Sequence, residues 1–211
     1  MSNKNLHEKK IIVAGKRIED AQKVLIMVHG RGGDAKDILS LSQYLRVDDF
    51  ALLAPEATNH TWYPYSFLTP PVQNEPWLSS ALDLLKEITE EVNEKGISRE
   101  NIYLLGFSQG ACLILEFAAR NARRYGGIVA FTGGLIGDKI YAENYKGDFN
   151  GTPVFIGSSD PDPHVPVQRV NETSAILKNM NAAITLKIYP GMGHTVSLAE
   201  IDKANQIIFT P

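Results

Sequence analysis

Apolar runs of strand length recur along the chain at residues 24–28, 51–54, 102–105, 127–131, 154–156 and 184–188. They are continuous rather than alternating, the pattern of strands covered on both faces. Helical patterns lie between them. The clearest spans residues 77–95, with Leu78, Ala81, Leu82, Leu85, Ile88 and Val92 on one stripe and Glu87, Glu90, Glu91 and Glu94 on the other. Gly96 stands where a C-terminal glycine closes a helix. Residues 37–45, 166–177 and 195–208 give further amphipathic helices, and the alternation predicts an α/β fold: a doubly wound, mostly parallel sheet with helices on both faces. Ile11 and Ile12 suggest a short extra edge strand. No internal repeat and no low-complexity tract interrupts the pattern.

In such a sheet ligands gather at the carboxyl ends of the strands, so the segments that follow each strand are where chemistry is expected. Those segments are unusual here. His29-Gly30-Arg31-Gly32-Gly33-Asp34 follows the first run, a Pro- and aromatic-rich stretch the second, Gly106-Phe107-Ser108-Gln109-Gly110 the third, Ser158 to His164 the fifth, and Gly191-Met192-Gly193-His194 the sixth. The third is a Gly-x-Ser-x-Gly between a strand and an apolar helix, which is the nucleophile elbow of the α/β-hydrolase fold. Its glycines answer to a steric demand, because a side chain at 106 or 110 would collide with neighbouring backbone in so tight a turn.

A serine hydroxyl needs a base, and the base needs a third group to fix its tautomer. His194 is the expected base, since it lies beyond the last strand in a glycine-flanked loop and an imidazole titrates near neutrality. Asp160 and Asp162 both follow the fifth strand and both precede a proline, so local physics leaves the choice between them open. Either one gives the order Ser, Asp, His that this fold uses. An oxyanion hole requires preorganised N–H donors, each worth roughly 3 kcal/mol of barrier. The backbone of Gln109, just after the serine, supplies one, and the glycines around Arg31 make its N–H the expected second. His29 is expected to shape that loop, and His60 and His164 to be polar rim or turn residues. The long connection from Glu56 to Glu75 predicts a functional loop, with Trp62, Tyr63, Tyr65 and Phe67 as candidate substrate-binding aromatics.

Composition narrows the partners. At 211 residues the chain suits a single domain, 1–211. Its 24 acidic and 21 basic residues give a net charge of −3 without a basic block, which argues against nucleic acid and anionic membranes. Met1 to Lys10 is polar and no apolar run approaches a membrane span, so a cytoplasmic protein is expected. The lone Cys112 lies in the apolar helix behind the elbow and reads as a small hydrophobe. No His or Cys pair shows metal-ligand spacing, and neither metal nor cofactor is expected. Oligomeric state is open, a homodimer included.

With these residues placed, the chain resembles the phospholipase/carboxylesterase family, which includes the acyl-protein thioesterases and small bacterial carboxylesterases. The resemblance runs from His29-Gly30 through Gly106-Phe107-Ser108-Gln109-Gly110 and Thr132-Gly133-Gly134-Leu135 to Asp162-Pro163-His164-Val165-Pro166 and Gly191-Met192-Gly193-His194. It implies an α/β-hydrolase fold without a separate lid domain, a triad of Ser108, Asp162 and His194, and oxyanion amides at Arg31 and Gln109. The family's aspartate element matches Asp162 and not Asp160. Three departures stand out: eukaryotic thioesterases tend to have an apolar residue where Arg31 stands, Asp160-Pro161 is similar to a small insertion ahead of the aspartate element, and Trp62-Tyr63-Pro64-Tyr65 is closer to the small bacterial esterases. The expected activity is hydrolysis of small soluble carboxylic esters, thioesters included, through an acyl-enzyme. Longer acyl chains, as in a thioesterase or lysophospholipase, and a non-catalytic ligand-binding module are the alternatives.

Overall fold

A computed structural model of the chain describes residues 6–210; the first five residues, part of the polar Met1–Lys10 segment, and Pro211 lie outside it. Seven strands form one sheet: β1 (Ile11–Gly15), β2 (Lys23–Val28), β3 (Phe50–Pro55), β4 (Ile102–Phe107), β5 (Gly127–Phe131), β6 (Pro153–Asp160) and β7 (Ala183–Pro190). Their spatial order is β1-β3-β2-β4-β5-β6-β7. Only β1 runs antiparallel, pairing Ile12 with Ala54 at the edge, and the other pairs are parallel. The α/β-hydrolase architecture read from the strand and helix alternation is present, with no separate lid domain among the described residues. No described helix is long and apolar enough to cross a membrane.

Five helices cover the sheet: α1 (Ala35–Leu39), α2 (Trp77–Glu94), α3 (Gln109–Arg120), α4 (Val167–Asn179) and α5 (Leu198–Ile207). The apolar stripe of α2 is buried as expected, with Leu78, Ala81, Leu85 and Ile88 at most 1% exposed. Each such side chain stabilises the fold by about 1.5–3 kcal/mol through the apolar area it removes from water. The core falls into two clusters on the two faces of the sheet, one containing Val24, Ile26, Leu104 and Ile128, the other Leu25, Met27, Leu105 and Val129. These residues alternate along β2, β4 and β5, so each strand feeds both layers, which is why their sequence runs are uninterrupted.

Two helices differ from expectation. Residues 37–45 do not form one helix: α1 ends at Leu39 and gives way to a 3₁₀ segment, Ser40–Tyr44. An Asp34 capping box starts α1 two residues earlier than its apolar pattern suggests, with Asp34 accepting from the N–H groups of Lys36 and Asp37. The last helix starts at Leu198 rather than near 195, because Ser197 and Glu200 form a second capping box there. Residues 194–197 are thereby left free as loop.

Candidate active site

The turn after β4 puts Ser108 at φ 53°, ψ −119°, a strained backbone for a residue with a Cβ. Both flanking glycines are sterically obligatory. A Cβ on Gly106 would come within 2.5 Å of the Gly110 carbonyl, and one on Gly110 would overlap the carbonyl oxygens of Val28 and His29. The turn therefore packs the start of α3 directly against the end of β2, and Ser108 is held by its N–H donating to Phe131 O at 3.0 Å.

His194 reaches the serine from the other side of the sheet's end. Gly191 N–H donates to Asp160 O at 2.9 Å and Gly193 N–H to Ser159 Oγ at 2.8 Å, which ties the loop after β7 to the end of β6. His194 Nε2 then lies 2.8 Å from Ser108 Oγ, and its Nδ1 lies 2.9 and 3.2 Å from the two oxygens of Asp162. A carboxylate opposite Nδ1 requires that nitrogen to be the protonated one, so Nε2 accepts from the serine hydroxyl. Burial alone would push the Asp162 carboxyl upward; hydrogen bonds from the His164 N–H, His194 and the Val165 N–H outweigh it and hold the group below its ordinary value. Asp162 is thus ionised and fixed by its own loop. Asp160, in contrast, is exposed and contributes its backbone carbonyl to the loop tie. The geometry separates two residues that local sequence could not.

Neither Arg31 N–H nor Gln109 N–H donates to a protein acceptor among the described hydrogen bonds. Gln109 opens α3, where first-turn amides have no intrahelical partner and the helix dipole is positive. Gly32 N–H donates to His60 O at 2.8 Å, and His60 Nδ1 donates to Gly33 O at 3.0 Å, which brackets Arg31. His29 shapes the same loop: Ala57 N–H donates to its Nε2, so Nδ1 carries the proton and donates to Gly30 O at 2.7 Å. Burial keeps this imidazole below its ordinary 6.5.

A cleft of about 730 Å³ opens over Ser108 and His194. Tyr63, Tyr65 and Phe67 line it, as do Leu68, Cys112 and the Pro163–Pro166 segment. Trp62 does not. It is wholly buried beneath the loop, and its Nε1 donates to His29 O at 2.9 Å, so the ring packs under the site and is a correction to the set of four candidate aromatics. The loop from 56 to 75 is also less irregular than its composition suggests, with 3₁₀ turns at Thr58–His60 and Pro71–Asn74.

Three side chains suspend that loop, and sequence reasoning missed all three in this role. The Arg31 guanidinium donates to Thr61 Oγ1, Tyr63 O, Pro64 O and Tyr65 O at 2.7–2.9 Å. Gln109 Nε2 donates to Tyr63 O and its Oε1 accepts from Trp62 N–H. Buried Asn74 accepts from Tyr65 N–H and donates to Ser66 O. A buried amide between two aromatic stretches is a weak signal that could have pointed to Asn74. Cys112 is a buried small hydrophobe with its thiol pushed up to about 12 by burial, yet it also touches the cleft floor. Among the described residues no group of three or more His, Cys, Asp or Glu could hold a metal ion.

The family model described as Phospholipase/Carboxylesterase matches residues 7–210. A crystal structure of a phospholipase/carboxylesterase from Dyadobacter fermentans is similar at 54% identity and TM-score 0.96, covering 97% of this chain and 98% of that one. Acyl-protein thioesterase 1 of Kluyveromyces lactis is 29% identical over 91% of this chain and 93% of its own length. The Bacillus cereus carboxylesterase, at 23% identity and TM-score 0.77 over 94% of this chain and 92% of that one, shares the fold.

Proposed function

The chain belongs to the phospholipase/carboxylesterase family, and from that premise we propose that it is a serine hydrolase of carboxylic esters, thioesters included, acting on small soluble substrates through an acyl-enzyme. One observation carries this reading: the hydrogen-bonded line Ser108–His194–Asp162 lies at the mouth of a cleft walled by aromatic side chains. As Ser108 Oγ attacks the carbonyl, His194 Nε2 takes its proton, and Asp162 holds the imidazole orientation and stabilises the imidazolium. The N–H groups of Arg31 and Gln109 are the donors for the tetrahedral oxyanion. His194 then protonates the departing alcohol or thiol, and water, activated by the same imidazole, releases the acid. A single sheet to which every described strand belongs supports reading residues 1–211 as one domain.

The test is turnover of a 4-nitrophenyl ester series, acetate to palmitate, by wild type and Ser108→Ala. Acetate or butyrate is the expected optimum, and the variant is expected to be inactive on every member. Undiminished acetate turnover by Ser108→Ala contradicts the mechanism; an optimum at palmitate contradicts the small-substrate assignment while leaving the mechanism intact.

A further inference from the structure

The lining of the main cleft holds one fixed charge, and it is positive; the ionised Asp162 lies behind His194, paired with it. The chain as a whole has more acidic than basic residues, yet no Asp or Glu lines this cleft, whereas Arg31 does. All four acceptors of its guanidinium are neutral, three backbone carbonyls and one hydroxyl, and no carboxylate lies within ion-pair distance of it among the described residues. Neutral acceptors orient a cation without cancelling it. The carboxylates of its own loop are occupied elsewhere: Asp34 accepts from the N–H groups of Lys36 and Asp37, and Asp37 from that of Asp34, at the start of α1.

Two further features add to the same potential. Helices α3 and α4 both begin at the cleft, at Ser108 and Pro166, and neither has a side-chain cap or an acidic residue in its first turn. Their positive ends are therefore unopposed, whereas α1 and α5 are closed by acidic capping boxes. A cation and two positive helix ends at one cleft together favour an anionic group.

Resting on the serine hydrolase reading above, we propose that the cleft selects esters that carry a carboxylate, with Arg31 as the specificity-determining residue. A monoester of a dicarboxylic acid, or an ester of a carboxylate-bearing alcohol, has this chemistry. The bonds made and broken are those of ordinary ester hydrolysis: Ser108 Oγ bonds to the acyl carbon as the bond to the alcohol oxygen breaks, and water then frees the acid.

The experiment compares kcat/KM for two matched pairs, each corrected for its rate of alkaline hydrolysis. 4-Nitrophenyl hydrogen glutarate against 4-nitrophenyl pentanoate places the charge on the acyl arm, and 3-carboxyphenyl butanoate against phenyl butanoate places it on the alcohol. At low salt the charged member of one pair is expected to exceed its neutral partner by about tenfold, an advantage that shrinks by half or more at roughly 0.5 M salt while the neutral ester is unaffected. Arg31→Gln is expected to lose the advantage, and if that variant fails to fold, the wild-type salt dependence decides alone. Neutral esters hydrolysed as well as charged ones in both pairs, or an advantage indifferent to salt, overturns the selectivity and leaves the hydrolase standing. No turnover of any of the four removes the reading beneath it.

Discussion

The two sides of the cleft are built by different means. Ser108, Asp162 and His194 follow β4, β6 and β7 and inherit their positions from the sheet, through backbone bonds such as Ser108 N–H to Phe131 O and Gly191 N–H to Asp160 O. The opposite wall, Tyr63 to Leu68, hangs from the side chains of Arg31, Gln109 and Asn74. Backbone ladders leave little room for substitution, whereas side-chain ties can be redrawn one residue at a time. The first wall is thus suited to a fixed reaction and the second to a variable substrate.

That division can be broken most severely from the catalytic side. Asp162→Asn should lower kcat by about 10⁴-fold by favouring the wrong imidazole tautomer, while Asp160→Asn, whose structural contribution is a backbone carbonyl, should stay within a few-fold of wild type. Steady-state kinetics of the two variants checks this, and the reverse ranking would contradict the assignment. On the opposite wall, Asn74→Ala leaves Tyr65 N–H and Ser66 O without their partner and should cost about 1–3 kcal/mol of stability. Chemical denaturation measures that loss. The kinetic signature should be a raised KM with kcat nearly unchanged, since the loop moves and the triad does not.

A smaller contrast separates two aromatics three residues apart, Trp62 and Tyr65, in character as well as place. Trp62→Phe removes the bond to His29 O and should cost about 1 kcal/mol without changing which esters are preferred. Tyr65, more than half exposed at the cleft, should behave oppositely: Tyr65→Ala should hardly alter stability but shift the preferred acyl chain. Parallel melting curves and ester profiles distinguish the two.

The smallest expected effect is on pH dependence. Burial holds both His29 and His7 below 6.5, and each accepts a backbone N–H, from Ala57 and Thr58 respectively, at the root of the suspended loop. A base whose folded-state value lies below its unfolded one supports the fold fully above about pH 6.5 and progressively less as pH falls from there through the folded-state value. The denaturation midpoint should therefore drop between neutrality and about pH 5, and the drop should be shallower in His29→Gln.

The same contrast explains what could be read from the sequence. The strands, the turn at Ser108 and the loop of His194 are announced by local signals: an apolar run, a Gly-x-Ser-x-Gly, a histidine in a glycine-flanked loop. Arg31 shows the limit of such reading. The flanking glycines draw attention to its N–H, but its guanidinium reaches a carbonyl 34 residues away, a contact that no local pattern encodes. Trp62 lies below the cleft and not on it, and a buried and a cleft-lining aromatic look alike until the chain is folded. Asp162 was separable from Asp160 only by resemblance, because the distinction depends on which carboxylate meets His194 across 32 residues.

The account rests on Ser108 being the nucleophile. Labelling with a fluorophosphonate, followed by fragmentation of the tryptic peptide from Glu100 to Arg120, tests it directly, because that peptide also contains Cys112 and Tyr103 as competing nucleophiles. The adduct is expected on Ser108 and nowhere else in the peptide, with labelling strongly slowed in Asp162→Asn. An adduct on another residue, or wild-type protein that resists the probe, would contradict the account.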